Sequence, residues 1–221
     1  MIRRLRPLLA TLCTLVAAVL LPAVPAAAAG DVRGGDLFRT GAGYRCMVSF
    51  SVVGQVTPFN GFLTAGHCGQ AGDAVYTPGG ELMGYFAASS FPGNDYALVQ
   101  LNPGWTPRGE VRTGAGTVAV KGATSAAVGA SVCKYGSTTG WRCGTIQAKN
   151  MTVHYPEGVI YGLTRTSVCA EAGDSAAPFM SGNQAQGILV GSSGNCSSGG
   201  TSYFQPVGEA LSAYGVRLVT G

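Results

Sequence analysis

Pro92-Gly93-Asn94-Asp95-Tyr96-Ala97-Leu98-Val99-Gln100-Leu101 reads as a turn that feeds a strand. Pro and Gly shape the turn, and the apolar run from Tyr96 to Leu101 has strand length rather than helix length. Met47-Val48-Ser49-Phe50-Ser51-Val52-Val53, Thr117-Val118-Ala119-Val120 and Gln186-Gly187-Ile188-Leu189-Val190 repeat the pattern, with Pro78-Gly79-Gly80 and Ser181-Gly182-Asn183 as further turns. Frequent turns with few helical periodicities predict an all-β barrel or sandwich. Val207 to Tyr214, with Leu211 four residues after Val207, is expected as a short C-terminal helix. Pro103, Gly104, Pro107, Gly109, Gly114 and Gly116 mark a linker, which suggests one barrel over about 32–112 and a second over about 117–221.

Residues 1–29 read differently. Arg3, Arg4 and Arg6 precede an apolar run from Leu8 to Leu21, and Ala26-Ala27-Ala28-Ala29 supplies small residues for cleavage. This is the pattern of a secretory signal peptide, with cleavage near Ala29-Gly30 and a functional domain over 30–221. A membrane anchor is the competing reading. A run from Leu8 to Leu21 spans roughly 21 Å as a helix, short of a hydrocarbon core of about 30 Å. Of the +4 formal charge, Arg3, Arg4 and Arg6 account for three, so the mature chain carries +1. That charge gives no electrostatic footprint for nucleic acid, and no membrane contact is expected after cleavage.

Cys13 lies in the signal, which leaves Cys46, Cys68, Cys133, Cys143, Cys169 and Cys196. An even number in an exported chain predicts three disulfides, with the pairing open. No C-x-x-C pair occurs, so neither a metal site nor any other cofactor is expected.

The chain has two histidines. His154, in Thr152-Val153-His154-Tyr155-Pro156, reads as a polar strand position. His67 ends the apolar stretch Phe62-Leu63-Thr64-Ala65-Gly66-His67-Cys68. Asp95 could be a simple turn cap, or it could hold one imidazole nitrogen and stabilise the imidazolium formed during proton transfer. Ser175 lies in Cys169-Ala170-Glu171-Ala172-Gly173-Asp174-Ser175-Ala176-Ala177-Pro178. Serine needs a base to become a strong nucleophile. The N–H groups of Gly173 and Ser175 could converge on an oxyanion, where one donor is worth about 3 kcal/mol.

His67, Asp95 and Ser175 follow the chain order of the chymotrypsin arrangement. Thr64-Ala65-Gly66-His67-Cys68, Asp95-Tyr96-Ala97-Leu98-Val99 and Gly173-Asp174-Ser175 resemble the three active-site motifs of the chymotrypsin-like serine peptidases. Gly136-Ser137-Thr138-Thr139-Gly140, Ser193-Gly194-Asn195-Cys196 and the stretch from Gln205 to Gly215 resemble the bacterial branch of streptogrisins and alpha-lytic protease. The resemblance implies two six-stranded antiparallel β-barrels with the active site in the cleft between them. It also implies the pairings Cys46–Cys68, Cys133–Cys143 and Cys169–Cys196, and a buried ion pair of Asp174 with Lys134. Lys134 on its own would read as an exposed strand lysine.

Three features depart from that family's pattern. Ala176 and Ala177 stand where it usually has Gly-Gly; if either position needs positive φ, strain of roughly 1–2 kcal/mol follows. Val190-Gly191-Ser192 stands for Ser-Gly-Gly, which removes a hydroxyl from Asp95 and leaves the N–H groups of Ala65 and His67 to hold it. The signal also runs almost directly into the enzyme domain, with no long pro-region. Val190, Gly191 and Ser192 are the expected substrate-binding segment, presenting backbone to an extended peptide. No carboxylate falls near Ser167 and Val168 at the pocket base, which argues against a preference for cleavage after Arg or Lys.

The expected function is a secreted, extracellular, monomeric serine endopeptidase acting on polypeptides, with a proteinaceous inhibitor as a second candidate partner. The alternative is a catalytically impaired homologue that binds peptides or proteins. An α/β-hydrolase would need Gly-x-Ser-x-Gly, which is absent.

Overall fold

A computed structural model describes residues 30–221, so the signal segment expected over 1–29 lies outside the described residues. The order begins with β1 (Gly30–Gly34), β2 (Leu37–Thr40), β3 (Arg45–Met47), β4 (Phe50–Gly54) and β5 (Asn60–Thr64). After a 3-10 turn at Gly66–Cys68 come β6 (Ala74–Tyr76), β7 (Leu82–Ser90), β8 (Tyr96–Leu101), β9 (Trp105–Arg112) and β10 (Thr117–Ala119). The second half holds β11 (Ser131–Gly136), β12 (Gly140–Tyr155), β13 (Gly158–Thr166), β14 (Pro178–Ser181), β15 (Gln184–Asn195) and β16 (Gly199–Pro206). Helix α1 (Val207–Tyr214) and β17 (Val216–Leu218) complete it.

The second half closes into the expected six-stranded barrel, in the order β11-β12-β13-β16-β15-β14. The first half is barrel-like but differs in strand count. Its main sheet has eight strands, ordered β17-β4-β5-β8-β7-β6-β2-β3, and β1-β9-β10 forms a separate sheet with β1 parallel to β9. Alternating apolar residues explain the first core: Phe38, Phe62 and Phe86 are buried from β2, β5 and β7, with the Phe38 and Phe62 rings 5.4 Å apart. Phe179 and Phe204, 4.8 Å apart, do the same for the second. Phenyl groups of this size bring large apolar area and tilted ring contacts to the core.

The expected linker and the far end of the second unit are corrected. Residues 105–112 form β9 within the expected first unit of about 32–112, although the linker marked from Pro103 to Gly116 overlaps them, because Trp105 and Val111 are buried and anchor the strand in the first core. Gly109 is not a turn former there. A Cβ on it would lie 2.2 Å from the Thr220 carbonyl carbon, so the glycine makes room for passing backbone. At the other end, β17 leaves the second half and pairs with β4, since Val216 and Leu218 bury their side chains in the first core. The short helix forms over Val207–Tyr214, with Val207 and Ala210 inward. It stops at Gly215, whose left-handed φ of 59° lets its N–H reach the carbonyls of Leu211 and Ser212.

Candidate active site

His67 is placed by the end of β5. Thr64 Oγ1 donates to the Met47 carbonyl (2.9 Å), and the 3-10 turn then lifts the imidazole out of the sheet. Gly66 must be small here, because a Cβ would lie 2.6 Å from the Ser90 carbonyl oxygen. Cys46–Cys68 clamps the turn to β3. Its two sulfurs and a His67 ring nitrogen lie within 4.8 Å of one another, but both sulfurs are spent on the disulfide and cannot ligate as thiolates.

Asp95 immediately precedes β8 and is buried. One carboxylate oxygen accepts the His67 backbone N–H at 2.9 Å, and the other lies 2.7 Å from His67 Nδ1. Burial pulls the His67 pKa down, but the hydrogen bond and charge of Asp95, with the charge of Glu157, bring it above the ordinary 6.5. The expected help from Ala65 is not formed. A partner that the sequence did not reveal lies in the second half: Gln205 Oε1 accepts the Asp95 backbone N–H at 3.1 Å. Gln205 is itself held by Glu209, 2.5 Å away, and by the Tyr161 carbonyl.

Ser175 sits on the loop between β13 and β14, tied down by Cys169–Cys196. Its carbonyl accepts the Met47 N–H at 3.1 Å, and Ser49 Oγ donates to the next carbonyl, of Ala176, at 2.6 Å. Met47 follows Cys46, so these bonds carry the serine loop to the disulfide that flanks His67. Among the described residues the His67 ring hydrogen-bonds Asp95 and not Ser175. Such serine–imidazole bonds are often long without substrate.

The loop backbone has a pattern of its own. The N–H groups of Asp174, Ala176 and Ala177 bond to the carbonyls of Glu171, Leu189 and Asp174. Those of Gly173 and Ser175 have no protein acceptor among the described residues. Gly173, at φ +99°, permits that turn of the chain. Asp174 points the other way, into the interior. Its carboxylate accepts from Lys134 Nζ (2.8 Å), Thr139 Oγ1 (2.7 Å) and the N–H groups of Thr138, Thr139 and Glu171. Both charged side chains are wholly buried, so Lys134 is not an exposed strand lysine. Burial would raise Asp174, but Lys134 and Thr139 hold it below the usual carboxylate value.

Ala176 takes φ +66°, the left-handed conformation that glycine would occupy without strain, whereas Ala177 does not. Both are buried. The neighbours therefore respond oppositely to glycine. Ala176→Gly is expected to gain up to about 1 kcal/mol, the relief of strain exceeding the loss of one methyl contact. Ala177→Gly is expected to lose about 1 kcal/mol through lost burial and added chain freedom. Urea unfolding midpoints of the two variants check this.

Val190, Gly191 and Ser192 lie on β15, where pairing with β16 slips between Leu189 and Gly191 and leaves Val190 outside the ladder. Val190 lines a cavity of about 440 Å³ with Tyr44, His67, Phe91, Asp95, Tyr155 and Glu157. Gly191 packs under Tyr155, whose hydroxyl would be 2.7 Å from a Cβ there. Ser192 Oγ is 3.4 Å from the Ala170 carbonyl. His154 stays exposed on β12 and away from the cavity.

The Trypsin family model matches residues 32–213. The chain belongs to the trypsin family. This trypsin-family chain is 55% identical over 194 residues to streptogrisin-C of Streptomyces griseus, covering 87% of this chain and 42% of that one. It is 40% identical to glutamyl endopeptidase 2 of the same organism, covering 84% and 97%. The chain thus spans under half the length of streptogrisin-C and nearly all of the other. Among solved structures, Cellulomonas bogoriensis chymotrypsin superposes with a TM-score of 0.79 at 50% identity, covering 86% of this chain and all of that one. Thermobifida fusca protease A gives 0.80 at 47%, with the same coverage. The chymotrypsin-like fold and the bacterial resemblance both stand.

Proposed function

We propose that this trypsin-family chain is a secreted serine endopeptidase with His67 as general base, Asp95 as orienting carboxylate and Ser175 as nucleophile. The observation that carries the proposal is the pairing of Asp95 with both the backbone and the ring of His67. With Nδ1 committed to Asp95, Nε2 is the basic nitrogen and accepts the Ser175 proton as Oγ attacks the scissile carbonyl. The carbonyl electrons move onto oxygen, where the free N–H groups of Gly173 and Ser175 receive them. His67 then gives the proton to the leaving amine, the C–N bond breaks and an acyl group stays on Ser175. Water, deprotonated by the same imidazole, releases the acid and restores Ser175.

The Lys134–Asp174 pair supports this reading by anchoring the chain just before Ser175. Gly191 and Ser192 offer the edge that an extended substrate would join. Val190 and Leu189 favour an apolar or small side chain at the cleaved position. One solved relative, 39% identical, is a glutamic acid-specific protease that uses a histidine triad in substrate binding. This chain has two histidines, one of them held by Asp95, so it cannot assemble such a device.

A fluorophosphonate probe tests the proposal. Purified mature protein is expected to label at Ser175, and labelling should vanish in His67→Ala. Because only neutral His67 accepts a proton and its pKa is raised, the acid limb of kcat/KM should have its midpoint above 6.5. A folded, disulfide-bonded protein that does not label would leave peptide binding as the function.

A further inference from the structure

The cavity beside His67 has a chemistry that peptide hydrolysis itself does not require. Three of its walls are aromatic: Tyr44, Phe91 and Tyr155. Asp95 is occupied by His67, but Glu157, on the tight turn between β12 and β13, is in no ion pair among the described residues. No Lys or Arg lines the cavity. The turn is held in place rather than hanging free. Gly93 donates to the Val159 carbonyl (2.9 Å), and Tyr161 donates back to the Gly93 carbonyl (2.9 Å). Gly158 packs so tightly on Pro92 that a Cβ would lie 2.7 Å away.

Tyr155 contributes its ring to the wall, while its buried Oη, with no hydrogen-bond partner among the described residues, sits against Gly191. Aromatic faces and a free carboxylate around one cavity are the set that recognises an ammonium or guanidinium on an apolar stem.

We propose that this cavity is a subsite for a lysine or arginine side chain of the substrate, with Glu157 as its counter-charge. The proposal rests on the endopeptidase reading above and concerns a position different from the cleaved one. An extended substrate joining Gly191 and Ser192 would carry the residue before the cleaved one between Val190 and His67, over the cavity.

Arginine and citrulline differ by charge and hardly in shape, so they isolate the electrostatic contribution. The test uses fluorogenic peptides with one cleavable bond and scans Arg against citrulline through the three positions on each side. The intact enzyme is expected to prefer Arg by about five- to tenfold in kcat/KM at one position, the one preceding the cleaved residue. In Glu157→Gln the ratio should fall to about one, and in the intact enzyme it should shrink as salt is raised. An enzyme that cuts the peptides with no preference for Arg, or keeps the preference in Glu157→Gln, overturns the subsite alone. A protein that neither cuts them nor takes the fluorophosphonate label overturns the endopeptidase reading and the subsite with it.

Discussion

Ser175→Ala is expected to lower kcat by about a millionfold while leaving the melting temperature within a few degrees of the parent. The size follows from how the three side chains work. Base and nucleophile act on one proton, so removing either removes the whole pathway, and losing both costs scarcely more than losing one. What survives is catalysis by binding and by the free N–H groups of Gly173 and Ser175, worth about 10³–10⁴ over water. His67→Ala should therefore match Ser175→Ala, and the double variant should be no worse. The hydroxyl itself is not part of the core packing, which leaves the fold intact. Active-site titration and steady-state hydrolysis of a peptide substrate check all three; a Ser175→Ala enzyme retaining a tenth of its activity would remove Ser175 from the mechanism.

Lys134→Ala is expected to destabilise the protein by about 3–5 kcal/mol, the largest effect on folding of any single change considered. The variant leaves the Asp174 carboxylate in the interior with its hydroxyl and N–H donors but without a counter-charge. A double change, Lys134→Met with Asp174→Leu, should recover much of the loss, because a buried pair is expensive mainly when one partner is missing. Guanidinium unfolding with the three disulfides intact measures both. Acid acts on the same pair. The folded Asp174 pKa lies below the ordinary 3.8, so its contribution is present above that value and disappears as pH falls through the lower one. Stability should then drop on acidification, and the drop should be smaller in the apolar double variant.

The motifs around His67, Asp95 and Ser175 were legible in the sequence because each is local. A strand leads into a 3-10 turn, a turn leads into a strand, and a glycine precedes a serine. That Ala176 or Ala177 could be strained was legible for the same reason, but which of the two takes positive φ was not. Contacts that cross the molecule were not. Gln205 reaches Asp95 from 110 residues away, and no pattern near either residue announces the bond. Pro107 and Gly109 looked like turn formers, yet one sits on a strand paired in parallel with β1 and the other makes space for Thr220. The free carboxylate of Glu157 was illegible too: a charged residue in a turn is ordinary until its neighbours are known.

The pairing of β17 with β4 ties the order of events in folding to the order of the chain. Val216 lies opposite Gly54, 162 residues earlier, and β4 is the immediate neighbour of the strand that leads to His67. Closing a loop of that length carries a large entropy cost before any contact repays it, so this sheet is expected to complete slowly and late. Until residues 216–218 arrive, β4 presents an open edge and the first core lacks Val216 and Leu218. A nascent chain that has already made His67, Asp95 and Ser175 therefore still lacks the strand that closes the first core around them.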